Sequence, residues 1–436
     1  MMVDCRFIKR FVWLLLLATV SISASAQDEL LPRLQALQGV SDVKALESDA
    51  YKEKYVLKVT QDVVPGEPQK GKFQQRVVVC HVGFDRPTVL VTEGYYAHYA
   101  LGKRYQDELS RLFDANVITV EYRYFGESMP EPCNWDYLTV ENSLADLHHV
   151  NQLFRQIYKG KWAATGISKG GQTTMFYRAY YPDDVDVSVP YVAPLNKSLE
   201  DGRHEPFLAK QVGTAQERQR LEDFQREVLK RRATLVPLFR DYCKEKGYTF
   251  RAPIDEIFDL TVLEYPFAVW QWGTPISEVP LTSASDQELF DNLIQYSEPN
   301  YFSEQSPYLS FNVQAVRELG YYGYATRPFR KYLSRKSAHD YMHRVMLPAE
   351  FRNVKFDKRL YKRTRRFLRK NDPSMVYIYG GIDPWGASGV GGMKCLQKKT
   401  NLRIHTLPEG SHRTRISSFP EPERTQIINE ISKWLK

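Results

Sequence analysis

Short β-rich runs alternate with longer helical stretches in two separate parts of this 436-residue chain, and this alternation limits the possible folds most strongly. In the first part, YVLKVT and RVVVCHV form a hairpin-like pair, followed by TVLVT, VITVE, KWAAT and VSVPYVA. Helical candidates at residues 99–113 and 140–158 lie between these later runs. The second part contains MVYIY and LRIHTL before a terminal helix at 421–435. Strands that alternate with helices predict parallel β-α-β units.

The segment between these two parts has a different character. Residues 215–246 are charged with helical periodicity, residues 255–273 are apolar and aromatic, and no β-rich run recurs until MVYIY. We therefore expect one α/β domain in two pieces, residues 27–197 and 371–436. A mostly helical cap insertion would occupy residues 198–370.

The first 26 residues have the layout of a secretory signal peptide. Basic residues precede an apolar run from Phe11 to about Ile22, and Ala24-Ser25-Ala26 provides a small-residue cleavage site. The run is shorter than the roughly 20 residues that span a bilayer, so we expect cleavage, export to the periplasm or the extracellular space, and no stable membrane insertion afterwards. Four cysteines would remain, and an oxidising compartment permits two disulfides in any of three pairings.

The stretch TGISKGGQT places Ser168 between glycines, after a β-rich run and before a helical one. A G-x-S-x-G sequence in this context is typical of a sharp strand-to-helix turn that presents a nucleophilic serine. The amide of Lys169, at the start of the helix, could then donate to an oxyanion. An ordinary glycine-rich loop is the alternative interpretation.

A nucleophilic serine needs a base, and the base needs an orienting carboxylate. Asp383 follows the run MVYIY and His412 follows the run LRIHTL, in the order serine, acid, histidine. Because the carboxyl ends of parallel strands meet at one edge of a sheet, we expect Ser168, Asp383 and His412 to meet there. Taken singly, Asp383 could only initiate a turn and His412 could be a surface histidine.

The loop after TVLVT is expected to complete the oxyanion hole. In this type of fold the loop supplies the second backbone donor, which indicates Gly94 or Tyr95. Glu93 would lie beside the serine, either as a structural carboxylate or as a receptor for a substrate amino group.

Two other patterns are given less weight. His339 and His343 have the i,i+4 spacing of a zinc helix but lack the glutamate that follows the first histidine in such motifs, so we expect neither metal nor cofactor. The basic run KRLYKRTRRFLRK, residues 358–370, has apolar residues at helical spacing. We interpret it as a solvated helix, not a nucleic-acid site.

Several segments together resemble a known family. TGISKGGQT, EYRYFGESMP, DYLTVENSLADL, LEYPFAVWQWG, GGIDPWGAS and EGSHRTRI occur in the order found in the secreted bacterial prolyl tripeptidyl aminopeptidases of the clan SC serine peptidases. RYFGES and YLTVENSLADL are also similar to the prolylcarboxypeptidase and dipeptidyl-peptidase II family. That relative usually has an aromatic residue where this chain has Lys169.

The resemblance implies an α/β-hydrolase fold with a helical cap, Ser168 as nucleophile, Asp383 as orienting acid and His412 as base. It also implies peptide substrates with free N-termini, release of tripeptides and a preference for proline. Trp270 and Trp272 could wall a proline site, although an aromatic stripe is more often core. An esterase or lipase, or a non-catalytic binding protein on the same scaffold, are the alternatives. The TEGYY loop weighs against an esterase or lipase, because its carboxylate suits an amine. The presence of all three residues of the catalytic set, Ser168, Asp383 and His412, weighs against a non-catalytic protein.

Overall fold

The structure is a computed structural model that describes residues 29–436. The predicted signal peptide lies outside the described residues. The described strands form one sheet in the order β1-β2-β3-β5-β4-β6-β7-β8-β9. These strands are β1 Val40–Ala45, β2 Glu53–Asp62, β3 Lys72–His81, β4 Thr88–Thr92, β5 Asn116–Val120, β6 Trp162–Ile167, β7 Val187–Tyr191, β8 Met375–Gly380 and β9 Leu402–Leu407.

The predicted α/β architecture is confirmed. β1, β2, β3 and β5 pair antiparallel, and β5, β4, β6, β7, β8 and β9 follow one another in parallel. The pairing of β2 with β3 is the hairpin-like pair expected from the sequence. β1 is an edge strand that was not predicted, because its alternation is interrupted by Asp42 at a positive φ of 51°.

Apolar side chains cover both faces of the sheet. Leu90 and Ile118 belong to one buried cluster, whereas their neighbours Val89 and Val117 belong to a second cluster on the opposite face. Successive side chains of a strand point to opposite faces, so a strand covered on both sides is apolar throughout. This double burial explains why runs such as TVLVT and VITVE show no polar alternation.

Helices cover the sheet and form most of the segment between β7 and β8. The α-helices in the described residues are α1 Leu30–Gln35, α2 Glu108–Phe113, α3 Val140–Phe154, α4 Lys169–Tyr180, α5 His204–Lys210, α6 Ala215–Lys230, α7 Arg232–Glu245, α8 Ile254–Trp272, α9 Asp286–Tyr296, α10 Leu309–Gln314, α11 Arg359–Lys370 and α12 Glu423–Leu435. Helices α5 to α11 all lie between β7 and β8 in the chain. The domain boundaries themselves stay predictions.

Two helical predictions differ from the structure. The stretch 99–113 contains a 3-10 turn at His98–Leu101 and then only the short α2, which begins where the Asp107 side chain accepts a hydrogen bond from the Ser110 amide. The stretch 215–246 breaks into α6 and α7 at Arg231. The guanidinium of Arg231 donates to the carbonyls of Thr282 and Ala284, so tertiary hydrogen bonds hold the break.

Candidate active site

Ser168 lies at a sharp turn between β6 and α4. Its backbone has φ 60° and ψ −119°, a region that side-chain-bearing residues rarely adopt and that costs about 1–3 kcal/mol. Its amide donates to the Tyr191 carbonyl at 2.9 Å, and its carbonyl accepts from the Gln172 amide at 2.8 Å. The neighbouring strand and the first turn of α4 therefore hold the strained conformation in place.

Glycine at position 166 allows the turn to close. A Cβ atom there would lie 2.4 Å from the Gly170 carbonyl oxygen and 2.8 Å from the Thr92 carbonyl oxygen. Both are backbone atoms, which could not move away without displacing β4 or α4. The glycines around Ser168 thus have a steric role in a strand-turn-helix, as the sequence pattern predicts.

Asp383 and His412 form a hydrogen-bonded pair. Asp383 follows β8 and His412 lies in the loop between β9 and α12. The Nδ1 atom of His412 lies 2.7 Å from Oδ2 of Asp383, and both side chains are buried. The Trp385 amide donates to the other carboxylate oxygen at 3.1 Å. If Nδ1–H donates to the carboxylate, the neutral ring keeps its lone pair on Nε2, which is the state a general base needs.

Ser168 and His412 line one cavity of about 720 Å³. The Trp272 ring meets the His412 ring edge to face, with centroids 5.9 Å apart. The His412 amide donates to the Gln271 carbonyl at 2.9 Å. The C-terminal end of α8 therefore fixes the histidine loop, and residues from both parts of the chain meet at the carboxyl edge of the sheet.

The loop after β4 packs directly on the start of α4. A Cβ atom on Gly94 would lie 2.7 Å from Cβ of Lys169 and 2.8 Å from the Gly170 amide nitrogen. This contact places the Gly94 and Tyr95 amides beside the Ser168 turn. The Gly94 amide already faces the Glu93 carboxylate at 3.4 Å, so Tyr95 is the better candidate for a second oxyanion donor next to the Lys169 amide.

The side chain of Lys169 ties this loop to the nucleophile turn. Its Nζ atom donates to the Gly94 carbonyl at 2.5 Å and lies 3.6 Å from the centroid of the Tyr122 ring. Burial holds the pKa of Lys169 well below its usual value, partly offset by the charge of Glu93. This buried lysine is held by a carbonyl and by aromatic rings. It connects the loop that contains Gly94 and Tyr95 with the start of α4, and these are the two segments of the candidate oxyanion hole.

Glu93 lies beside this assembly but is not among the side chains that line the cavity. It is half-buried and accepts a hydrogen bond from the Tyr99 hydroxyl. Burial raises the pKa of Glu93 to about 7. These contacts favour a structural role for the Glu93 carboxylate, beside Lys169, over a role as receptor for a substrate amino group.

Trp270 and Trp272 lie on different sides of α8. Trp272 is 47% exposed and lines the catalytic cavity. Trp270 is 4% exposed and lines a second cavity, of about 300 Å³, within the helical segment. Residues two apart on a helix point in nearly opposite directions, so the two tryptophans do not share one wall.

Glu264 is a cavity residue that the sequence reasoning missed. Its carboxylate accepts hydrogen bonds from the Tyr322 hydroxyl at 2.9 Å and from the Tyr324 hydroxyl at 2.7 Å. Burial raises the pKa of Glu264 to about 7. Glu264, Ala268, Gln271 and Trp272 all line the cavity, and their spacing is that of one helix face. The signal in the sequence was that Glu264 is the only charged residue from Leu260 to Trp272.

The remaining chemical features lie outside this cavity. In residues 29–436, no group of three or more His, Cys, Asp or Glu side chains could hold a metal ion. His343 has Asp340 and the Val354 carbonyl as hydrogen-bond partners. Cys80, Cys133, Cys243 and Cys395 are free thiols. None of the helices in the described part of the chain is both long and apolar enough to cross a membrane.

The chain matches a known protein family and a bacterial relative over nearly its whole length. The family described as PS-10 peptidase S37 matches residues 25–431. A prolyl tri/tetrapeptidyl aminopeptidase of Streptomyces mobaraensis is 29% identical over 418 residues, which are 94% of this chain and 85% of that protein.

Similar solved structures include the proline iminopeptidase of Mycobacterium smegmatis, with 14% identity, a TM-score of 0.39 and coverage of 90% of this chain and 98% of that one. The peroxisomal alpha-beta-hydrolase Lpx1 of Saccharomyces cerevisiae has 12% identity, a TM-score of 0.39 and coverage of 87% and 88%. Because the family match spans nearly the whole chain, the chain belongs to the peptidase S37 family and is a serine peptidase with an α/β-hydrolase fold.

Proposed function

We propose that this peptidase is an exported aminopeptidase that releases short peptides, most often tripeptides, from free N-termini. The observation that carries the proposal is that one cavity contains Ser168, His412 and the carboxylate of Glu264. A nucleophile with its base and a separate anionic group in the same cavity suit a substrate that carries an ammonium at a fixed distance from the cleaved bond. The export step is proposed from the layout of residues 1–26.

In the proposed mechanism, Ser168 attacks the carbonyl carbon of the scissile peptide bond while His412 takes the hydroxyl proton. Asp383 holds the Nδ1–H tautomer and stabilises the imidazolium that forms. The amides of Lys169 and Tyr95 donate to the oxyanion, and the positive end of α4 supports the developing charge. His412 then protonates the leaving amine, and water repeats the sequence on the acyl-enzyme to release the N-terminal fragment.

Glu264 is proposed as the receptor for the substrate ammonium, in place of Glu93. Its two tyrosine hydrogen bonds fix the carboxylate within the cavity, and an incoming ammonium favours its ionised form. Glu298 also lines the cavity, but it accepts the Asn300 amide and caps a 3-10 turn. That contact gives Glu298 a structural role.

The aromatic side of the cavity next to Ser168 is proposed to receive the residue before the cleaved bond. Tyr95, Phe311 and Trp385 line this side. Aromatic rings suit a compact apolar ring such as proline, which needs no hydrogen bond from its amide position. The Streptomyces relative is named for prolyl substrates, and these rings support the same preference here.

The test compares a tripeptide anilide that ends in proline with its N-acetylated form. The proposal expects much faster release from the free amine, and Ser168→Ala should abolish release and labelling by a fluorophosphonate while thermal unfolding stays unchanged. Equal rates on the two anilides would overturn the aminopeptidase proposal. Rates far below those on a simple ester would favour an esterase, and undiminished activity of Ser168→Ala would refute the nucleophile.

A further inference from the structure

Helix α11 presents a dense row of exposed cations. We call this row the basic face of α11, and its members are Lys358, Arg359, Lys362, Arg363, Arg365, Arg366, Arg369 and Lys370. The buried side of the same helix consists of Leu360, Thr364 and Leu368, at i, i+4 and i+8. The helix therefore lies against the protein along one narrow stripe and turns the rest of its surface to solvent.

The charges of the basic face are largely uncompensated. Among the described residues, its only ion pair joins Arg359 to Asp357. Lys362 and Arg366, like Arg366 and Lys370, are i,i+4 neighbours of the same charge, which destabilises a helix. Cations in the last turn complement the helix dipole, but those in the first turn oppose it, and the first turn has no acidic residue. Intramolecular stability therefore does not account for the row.

Neighbouring segments extend the positive surface. The 3-10 turn Lys394–Leu396 packs against α11. The side chain of Lys399 donates to the Arg369 carbonyl at 3.1 Å. Lys394 and Lys398 are exposed nearby in the chain. The positive surface thus includes cations from a second segment.

The basic face lies away from the catalytic cavity. Arg363 stacks on the Tyr180 ring with its guanidinium 3.5 Å from the centroid. Tyr180 is the last residue of α4, and Ser168 directly precedes the first. At 1.5 Å per residue, these two ends of α4 are about 17 Å apart. A large anionic partner at the basic face would leave the cavity accessible to peptides.

We infer that the basic face of α11 docks the protein peripherally on an anionic phospholipid surface, with the cavity directed away from it. A lipid surface offers many phosphates in a plane, which matches a row of cations on one side of a packed helix. Half-buried Tyr361 and Phe367 flank the buried stripe of α11 and pack against the core, so the cations would make the contact with the lipid surface. A lipid surface is favoured over nucleic acid because the chain, if residues 1–26 direct its export as proposed above, meets little nucleic acid.

The test is co-sedimentation of the protein, purified after expression with its own residues 1–26, with vesicles. One set is phosphatidylcholine alone, and the other contains about 30 mol% phosphatidylglycerol. The docking variant combines Lys362→Gln, Arg365→Gln, Arg366→Gln and Arg369→Gln. The matched control removes four exposed charges elsewhere: Lys70→Gln, Lys210→Gln, Arg240→Gln and Lys244→Gln.

The wild-type protein should bind the anionic vesicles at least about 10-fold more tightly than the neutral ones, and the docking variant should lose that preference. The control should keep it, and all three proteins should cleave a short peptide at the same rate. Equal binding to both vesicle types, or equal losses in variant and control, would overturn the inference. Tighter binding to duplex DNA than to anionic vesicles at the same salt would also overturn the inference, because the basic face would then bind a polyanion other than lipid.

Discussion

Replacing Glu264 by glutamine removes the proposed ammonium receptor with little change of shape. The amide oxygen of glutamine can still accept the hydroxyls of Tyr322 and Tyr324, so the local packing should persist while the charge is lost. Removing one partner of a buried charged hydrogen bond costs about 2–5 kcal/mol. Glu264 lines an open cavity where water screens part of the interaction, so we expect the lower end, about 2–3 kcal/mol. That energy corresponds to about 30- to 150-fold in kcat/KM for free-amine substrates.

The assay measures kcat/KM for a free-amine anilide and for its N-acetylated form, and uses their ratio. Defects in Ser168 chemistry affect both substrates, so the ratio isolates recognition of the ammonium. Glu264→Gln should collapse the ratio toward one. Glu93→Gln is the matched control, because burial also raises the pKa of Glu93 to about 7, but Glu93 does not line the cavity. A preserved ratio in Glu264→Gln, or a larger loss in Glu93→Gln, would refute the assignment.

The same ratio should depend on pH. Burial raises the pKa of Glu264 from 4.5 to about 7, so the carboxylate gains its charge as the pH rises through about 7. A peptide α-amino group loses its charge near pH 7.7–8.0, roughly. The ratio should therefore rise and then fall with pH in the wild type and stay flat in Glu264→Gln, and a flat wild-type profile would contradict the pairing.

Three further predictions concern stability and the chemistry. Burial makes the pKa of Glu264 higher in the folded chain than in the unfolded chain, so the free energy of unfolding falls as the pH rises between 4.5 and about 7. Thermal unfolding should therefore show Glu264→Gln gaining stability relative to the wild type from about pH 5 to about pH 8. A stability difference between the two proteins that does not change with pH would contradict this prediction. Lys169→Met frees the Gly94 carbonyl and should lower kcat by about 10- to 100-fold with little change in KM, since the second oxyanion donor is displaced; an unaltered kcat would separate Lys169 from that loop. Asp383→Asn should lower kcat about 10⁴-fold without unfolding the protein, because the amide favours the wrong His412 tautomer; steady-state kinetics with circular dichroism would show it, and a drop below about 10-fold would not fit the proposed role.

The parts of the fold that were predictable are those in which local pattern and burial agree. The apolar runs of the parallel strands and the glycine turn at Ser168 are local, and the rule that parallel strands end at one edge brings Asp383 and His412 to the same place. The edge strand β1 was missed because Asp42 interrupts its pairing. The break at Arg231 was missed because its hydrogen-bond acceptors lie more than 50 residues away in the chain.

The candidate binding residues show why proximity in sequence is a poor guide to a cavity. Glu93 adjoins the oxyanion loop in sequence, yet its side chain does not line the cavity. Trp270 and Trp272 were selected together, although residues two apart on a helix cannot face one cavity. Starting from Trp272 and stepping back along the same face by eight residues leads to Glu264. Its significance depends on Tyr322 and Tyr324, about 60 residues further along the chain, so the sequence could indicate this position but not the pair of hydroxyls that hold its charge.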